Sequence, residues 1–270
     1  RQVLETLLDD VNISERSVNE TMNRDLANGI TSVKQITEKL KLPEGRVFGT
    51  LGELIKVNDK YKMCAEVVGG NSLFHVVVDT DETASIILQE LYRMKGGRVT
   101  LMPLNRIYND PHTAYPPNEQ YSCTPLLKKI KYNAQFEKAV KHVFGKSIVV
   151  KDLATGARIA KRYKLNAITL DGDRSDQRGV LTGGYHDQHK TTRLDSLRNL
   201  KNSRSQHSRI NNDLEITREK IKIIDGEIDR INGSIRNSSN RKENILTSIE
   251  GLRAALNKKK TERIFLEESD

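Results

Sequence analysis

The run Val140-Lys141-His142-Val143-Phe144-Gly145-Lys146-Ser147 comes within one residue of the phosphate-cradling loop G-x-x-x-x-G-K-S, whose glycines let the backbone curl around phosphates that a lysine also holds. It fails twice. Val140 stands where the first glycine is needed, and Lys146-Ser147 leads into the β-prone Ile148-Val149-Val150, whereas a phosphate loop opens a helix whose amino end faces the anion. His186, Asp187 and His189 have a spacing that could hold a metal, but no cysteine or second pair completes four ligands, so a solvated turn is expected there. Asp171, Asp173 and Asp176 lack the ordered ladder of a calcium loop and are expected to cap and turn a loop instead. Cys64 and Cys123 lie outside any C-x-x-C and read as reduced thiols of an intracellular protein. These residues give no catalytic site, no metal site and no cofactor.

Anion binding is better represented. The chain holds 45 Lys and Arg against 36 Asp and Glu, a net charge of +9. Lys128, Lys129 and Lys131 cluster beside Tyr132, and Arg158, Lys161 and Arg162 share one helical stretch. Such groups can hold the phosphates of DNA without reading its sequence; the plainer reading is a solvated basic surface. No stretch approaches the roughly 20 apolar residues of a membrane span, and the start at Arg1 lacks a secretory-signal pattern, so no membrane contact is expected and the chain reads as an internal piece of an intracellular protein.

The elements that must position these groups fall into a middle, 43–188, between two arms, 1–42 and 189–270. In the middle the spacing predicts a helix over 60–68, a strand over 72–79, a helix over 82–95 capped by Asp81, and a strand over 98–102. Five of the six prolines lie from Pro103 to Pro125 and mark an irregular linker, 103–127, between a first lobe, 43–104, and a second, 128–188. The order then repeats, with a helix over 136–144, a strand over 147–150, a helix over 153–163 and a strand over 167–170. Two related α/β (α+β) lobes follow. Gly96-Gly97 and Gly183-Gly184 sit beside the short β-prone runs Val99-Thr100-Leu101 and Val180-Leu181-Thr182. Each pair suits a tight turn or a bare sheet edge where another chain's strand can lie down.

The arms carry a different period. From Ile210 to Leu256, eleven of fourteen positions spaced alternately by three and four are apolar, the narrow seam of a coiled coil. Leu4, Leu8, Val11, Val18, Met22, Leu26, Ile30, Val33, Ile36 and Leu40 give the first arm a matching stripe, and arms leaving one side of one domain must run antiparallel. At 1.5 Å per residue the first arm spans roughly 60 Å and the second roughly 120 Å. Asn232-Gly233-Ser234 to Ser239-Asn240 is a poor helix former, yet the seam phase runs through it, so one continuous helix is expected.

In this order, three stretches resemble the hinge of the structural maintenance of chromosomes (SMC) proteins with its adjoining coils. They are Gly45-Arg46-Val47-Phe48-Gly49-Thr50-Leu51-Gly52-Glu53-Leu54-Ile55, Gly97-Arg98-Val99-Thr100-Leu101-Met102-Pro103-Leu104, and Asp171-Gly172 through Gly179-Val180-Leu181-Thr182-Gly183-Gly184-Tyr185. Within the family, the tail Leu181 to Asp187 is similar to cohesin subunits of the third kind. Many relatives carry an aromatic after the mid-chain threonine; here it is Leu101. The resemblance implies a non-catalytic hinge that dimerises with the hinge of the other cohesin SMC subunit. That joint closes a ring around DNA for sister chromatid cohesion in the nucleus, the ATPase heads lying elsewhere. It implies an interface drawn from Met94, Gly96, Gly97, Val99, Thr100, Leu101, Gly179, Leu181, Gly183, Gly184 and Tyr185. Weak homodimerisation of the isolated segment is a further expectation, and a coiled-coil-dimerised DNA-binding module is the alternative function.

Overall fold

In the computed structural model the described residues are 2–109, 113–117, 122–184 and 192–267, with side chains described to 264. The chain divides into two units, 1–207 and 208–270.

Where one arm is expected, two helices stand, α1 (Gln2–Glu20) and α2 (Arg24–Lys39). Thr21 Oγ1 donates to the Val18 carbonyl at 2.7 Å, and extended Asn23 accepts from Asp25 N at 2.8 Å, so the chain stops one helix and caps a new one. The break redirects the stripe. Val33 and Ile36, read from spacing as coil seam, are buried among Val76, Val78, Ile87 and Leu91 of the first lobe.

The first lobe continues through β1 (Val47–Thr50), α3 (Leu51–Leu54), β2 (Ile55–Val57), α4 (Asp59–Gly69), β3 (Val76–Val78), α5 (Asp81–Met94) and β4 (Leu101–Pro103). The strand expected over 72–79 is shorter because Gly70, at φ +48°, ends α4 and a 3-10 turn, Gly70–Phe74, buries Leu73 and Phe74 completely. Thr80, rather than Asp81, caps α5 by accepting from Thr83 N. Asp81 lies one residue inside, paired with Arg106 at 2.7 Å. The second lobe holds β5 (Thr124–Pro125), β6 (Ile130–Tyr132), α6 (Glu137–Phe144), β7 (Ser147–Val149), α7 (Leu153–Tyr163), β8 (Asn166–Ile168), β9 (Arg174–Ser175) and β10 (Leu181–Thr182), before α8 (Arg193–Glu267).

The two lobes repeat one plan. In the first, β3 pairs parallel with β4 around α5 and antiparallel with β1; in the second, β7 pairs parallel with β8 around α7 and antiparallel with β5. Parallel neighbours require such a crossover helix. The punctuation repeats too. Asn58 and Asn133 cap the first helical turns, Thr80 and Asp152 cap α5 and α7, and Lys95 and Lys164 end those helices in the left-handed conformation at φ +53° and +55°. Strands β2 and β6, which precede the two asparagines, pair antiparallel with Lys56 directly opposite Lys131.

The lobes share one core: Leu51, Leu73 and Val77 of the first pack in a single cluster with Leu126, Phe136, Phe144 and Ile168 of the second. Phe48 and Phe136 meet edge to face at 5.1 Å. The base of α8 joins the first unit through Leu197 and Leu200, buried with Val18 and Phe74. Gly52 makes room for it, since a Cβ there would lie 2.4 Å from Leu197 Cδ1. Glu66 takes the amide hydrogens of Arg193 and Leu194, both at 3.2 Å, and burial pushes its carboxyl above the usual range despite those bonds. α1 runs antiparallel to this base, with Ser14 and Ser17 meeting Ser203 and Ser196 at 3.3 Å and Arg204 joining Glu15 to Glu53.

In the second unit α8 is helical throughout, including the stretch from Asn232 to Asn240, as the seam phase requires. Its seam side chains from Ile221 to Leu256 are 40% to 71% exposed where they are apolar, a surface that a soluble helix keeps for a partner.

Candidate subunit interface

Among the end strands of the described sheets, two carry the runs singled out from the sequence. Sheet order places β4 at the end of β1-β3-β4 and β10 at the end of β10-β9-β8-β7-β5. Along β4, the Thr100 carbonyl accepts from Val76 N at 2.9 Å and Leu104 N donates to the Val78 carbonyl at 3.0 Å. Alternation along a strand then turns the Leu101 N–H and C=O to the outer side. The Leu101 side chain, with Val99, leans on the core beneath α2 and α5, and Met94 at the end of α5 is 38% exposed.

The second margin has the same polarity. Leu181 lies opposite Ser175 and Thr182 opposite Arg174, while Asp176 N donates to the Val180 carbonyl at 3.0 Å. Residues 180 and 182 therefore face β9, and the Leu181 main chain faces out. Here the side chains are bare as well: Val180 and Leu181 are 60% and 61% exposed. The hairpin is held by two carboxylates, Asp176 accepting from Arg178 N and Val180 N at 2.9 and 2.8 Å, and Asp173 from Gly184 N at 3.2 Å. This is the turning and capping role read for those acids from the sequence.

The glycines prove to serve different masters. A Cβ on Gly97 would lie 2.5 Å from the Asp25 carbonyl oxygen, and one on Gly96 2.6 Å from Ser32 Oγ, so this pair lets α2 of the same chain come close. Arg98 N seals the contact on the Asp25 carbonyl at 3.1 Å. Gly29 completes it, because a Cβ there would meet the Arg98 carbonyl oxygen at 2.4 Å. Sequence reasoning missed Gly29, though a glycine inside a helical run is itself a signal of close packing. A Cβ on Gly183 would lie 2.4 Å from Asp173 Oδ1, and Gly179, at φ +92°, makes the turn into β10 with open space around it. Tyr185, His186, Asp187 and His189 lie outside the described residues.

The basic residues form two groups. Lys128, Lys129 and Lys131 stand beside Lys56 and Lys60, which the sequence reading passed over: Lys131 faces Lys56 across the ribbon, and Lys129 and Lys60 approach the Tyr61 ring at 5.3 and 5.7 Å. Arg158, Lys161 and Arg162 are exposed on α7, with Arg162 5.8 Å from the Tyr163 ring. The run ending in Lys146-Ser147 closes α6 rather than opening a helix, and Gly145 N is used on the Lys141 carbonyl at 2.8 Å. Cys64 is buried and donates to the Thr169 carbonyl at 3.3 Å, and burial raises its thiol to about 11. Among the described residues no helix is long and apolar enough to cross a membrane.

A two-lobed α/β body with a repeated β-α-β plan, entered and left by helices that pair antiparallel, is the SMC hinge architecture. Residues 44–160 match the family described as SMC proteins Flexible Hinge Domain. The chain is 65% identical over 269 residues to Structural maintenance of chromosomes protein 3 of Saccharomyces cerevisiae, covering 99% of this chain and 22% of that protein. It is 38% identical over 251 residues to Chromosome segregation protein sudA of Emericella nidulans, covering 93% of this chain and 20% of that one. Among solved structures, one described as the folded elbow of cohesin matches with a TM-score of 0.90 at 65% identity, covering 99% of this chain and 38% of that one. The chain belongs to the SMC family and carries its hinge, and its Saccharomyces cerevisiae relative is an SMC protein of the third kind. It spans about a fifth of the length of those curated relatives.

Proposed function

We propose that this chain is the dimerisation hinge of a cohesin SMC subunit. Its margins at Leu101 and Leu181 each add to a sheet of the partner SMC hinge, closing a ring that entraps DNA and holds sister chromatids together in the nucleus. One observation carries this reading. The strand of the second lobe that corresponds to β4 is β8, and β8 is already covered by the antiparallel strand β9, through Ala167 opposite Ser175 and Ile168 opposite Arg174. The molecule thus contains a worked example of what fits against β4, and among the described residues no strand covers β4 in that way. Main-chain bonds at such an edge supply affinity and the flanking side chains choose the partner. Two contacts in one closed ring hold each other at high local concentration. The names of the similar proteins support the cohesin setting. Two copies of this chain present the same margins, so weak self-association follows.

The test mixes the chain with a partner cohesin hinge on a sizing column, before and after Leu101→Pro and Leu181→Pro are introduced together. Proline removes the outward N–H at each margin and leaves the bonds to β3 and β9 in place. Loss of the complex is expected from chains that still melt cooperatively, at a temperature lowered by the loss of the half-buried Leu101 side chain; an undiminished complex sinks the reading.

A second role in sequence-independent DNA contact is favoured by the pair Lys56 and Lys131. Like charges directly opposite one another in a sheet are destabilising, and the loss is offset when an anion lies across both. Lys128 and Lys129 extend that surface, and Arg158, Lys161 and Arg162 offer another. Lys56→Glu with Lys131→Glu should weaken binding of a short duplex and flatten its salt dependence; an unaltered salt slope would remove this face from the DNA path.

A further inference from the structure

One cavity has neither margin, nor any of the lysines assigned to DNA, among the described residues of its wall. It holds about 890 Å³ beside α6 and the linker residues Ile107, Tyr108, Asn109, Thr113 and Tyr115, within the size range of small-molecule sites. The linker is tied down over it: Asn109 Nδ2 donates to the Lys138 carbonyl at 2.8 Å, and the Tyr115 hydroxyl donates to the Gly145 carbonyl at 2.5 Å.

Positive groups predominate in its lining. Lys138, Lys141 and His142 come from α6 and Lys146 from the turn that follows. Glu137 is the one carboxylate among the described residues of the wall, and Lys141 already neutralises it at 2.7 Å. Lys138 and Lys146 are exposed and make no ion pair among the described residues. Lys138 and Lys141 stand one helical turn apart, where like charges work against the helix. Tyr108, 80% exposed, and half-buried Tyr115 add hydroxyls and ring faces.

We infer that this cavity binds a small polyphosphate, a molecule carrying several phosphate groups close together. Three lysines around one concavity suit clustered anions better than a single one, and the bounded wall suits a compact ligand rather than a passing strand. The run that fails as a phosphate loop supplies Lys141, His142, Gly145 and Lys146 to this wall. The Gly145 amide is spent within α6, so the anion is held by side chains and not by a backbone cradle. The site does not depend on subunit pairing.

Calorimetric titration of the 270-residue chain with inositol hexakisphosphate, and separately with tripolyphosphate, tests this. Single-site binding is expected. Lys138→Glu with Lys146→Glu should weaken it by about a hundredfold, roughly tenfold for each charge-assisted bond lost, with no change in melting temperature, since both side chains are exposed. Lys39→Glu with Lys41→Glu, exposed residues at and just after the end of α2 that do not line the cavity, makes the same change in net charge and should leave the affinity within about twofold. Absence of heat with both probes overturns the proposal. So does equal weakening by the two double variants, which would reveal only general attraction to a basic protein. Displacement of the probe by a short duplex from the unaltered chain, at the concentration at which that duplex itself binds, would assign the wall to nucleic acid and overturn it as well.

Discussion

The two open margins have the same main-chain polarity and opposite support. Behind β4 stands α2, pressed so closely on Gly96 and Gly97 that a Cβ at either would collide with it. Behind β10 stands a two-residue hairpin partner, β9, and two carboxylates that hold its turns. A strand backed by packed helix resists fraying; one held by a few exposed hydrogen bonds belongs to the low-stability end of a fold. The first margin is therefore a preformed shelf, whereas the second is a compliant finger whose exposed Val180 and Leu181 gain most from being covered. On the proposed function, a ring closed by one contact of each kind is expected to open first at the finger.

The largest expected effect breaks the shelf itself. Gly97→Ala puts a methyl 2.5 Å from a backbone oxygen at φ +88°, and should cost roughly 2–4 kcal/mol of stability by overpacking and backbone strain, read as a fall in melting temperature. Gly183→Ala meets only a carboxylate tip and should cost about 1 kcal/mol or less, as most substitutions away from a packed core do; equal losses would erase the contrast between the two margins. Next come the single proline variants. Leu101→Pro and Leu181→Pro should each weaken partner binding by up to about tenfold, the worth of one net main-chain bond, measured by surface-immobilised partner hinge. The dissociation rate should rise more for Leu181→Pro, because the finger alone must be ordered on binding. Asp176→Ala removes the acceptor of two amides and should speed amide exchange across 174–182 without altering exchange in β3 or β4. Uniform acceleration in both lobes would show that the hairpin is not a separate unit.

The smallest effect concerns the base of α8. Burial works against the Asp195 carboxylate, but Lys62 at 2.9 Å and the Thr192 hydroxyl outweigh it and hold its carboxyl below the usual range. A depressed folded value means that this contribution is complete above the unfolded value near 4 and is lost as pH falls through the folded one. Asp195→Asn should therefore lower the melting temperature slightly at pH 7 and leave it unchanged at pH 2.

Much of the repeat was legible. The sequence-read helices over 60–68, 82–95 and 153–163 stand within a residue or so of α4, α5 and α7, because their apolar stripes and polar caps are local. The two glycine pairs were legible as special positions but not for their reasons. Gly96-Gly97 looks the same in sequence whether a foreign strand or α2 approaches it, since a missing side chain records closeness and not the neighbour's identity. The first arm misled in the same way: Val33 and Ile36 keep a helical period whether they face a coil or a sheet, and the capping Asn23 was the one local sign of the break. Lys56 was passed over because a lone lysine in a short strand has no meaning until β6 brings Lys131 opposite it.

The order of residues alone settled the unbroken α8, the narrow seam along it and the doubled order of helices and strands, because each rests on spacing within one segment. Tertiary structure decided which edges stay open: α2 folds back on Gly97, β9 covers β8, and among the described residues no strand does the same for β4. Those outcomes join residues far apart in the chain, and side-chain period within a segment carries no information about which distant surface will close over it.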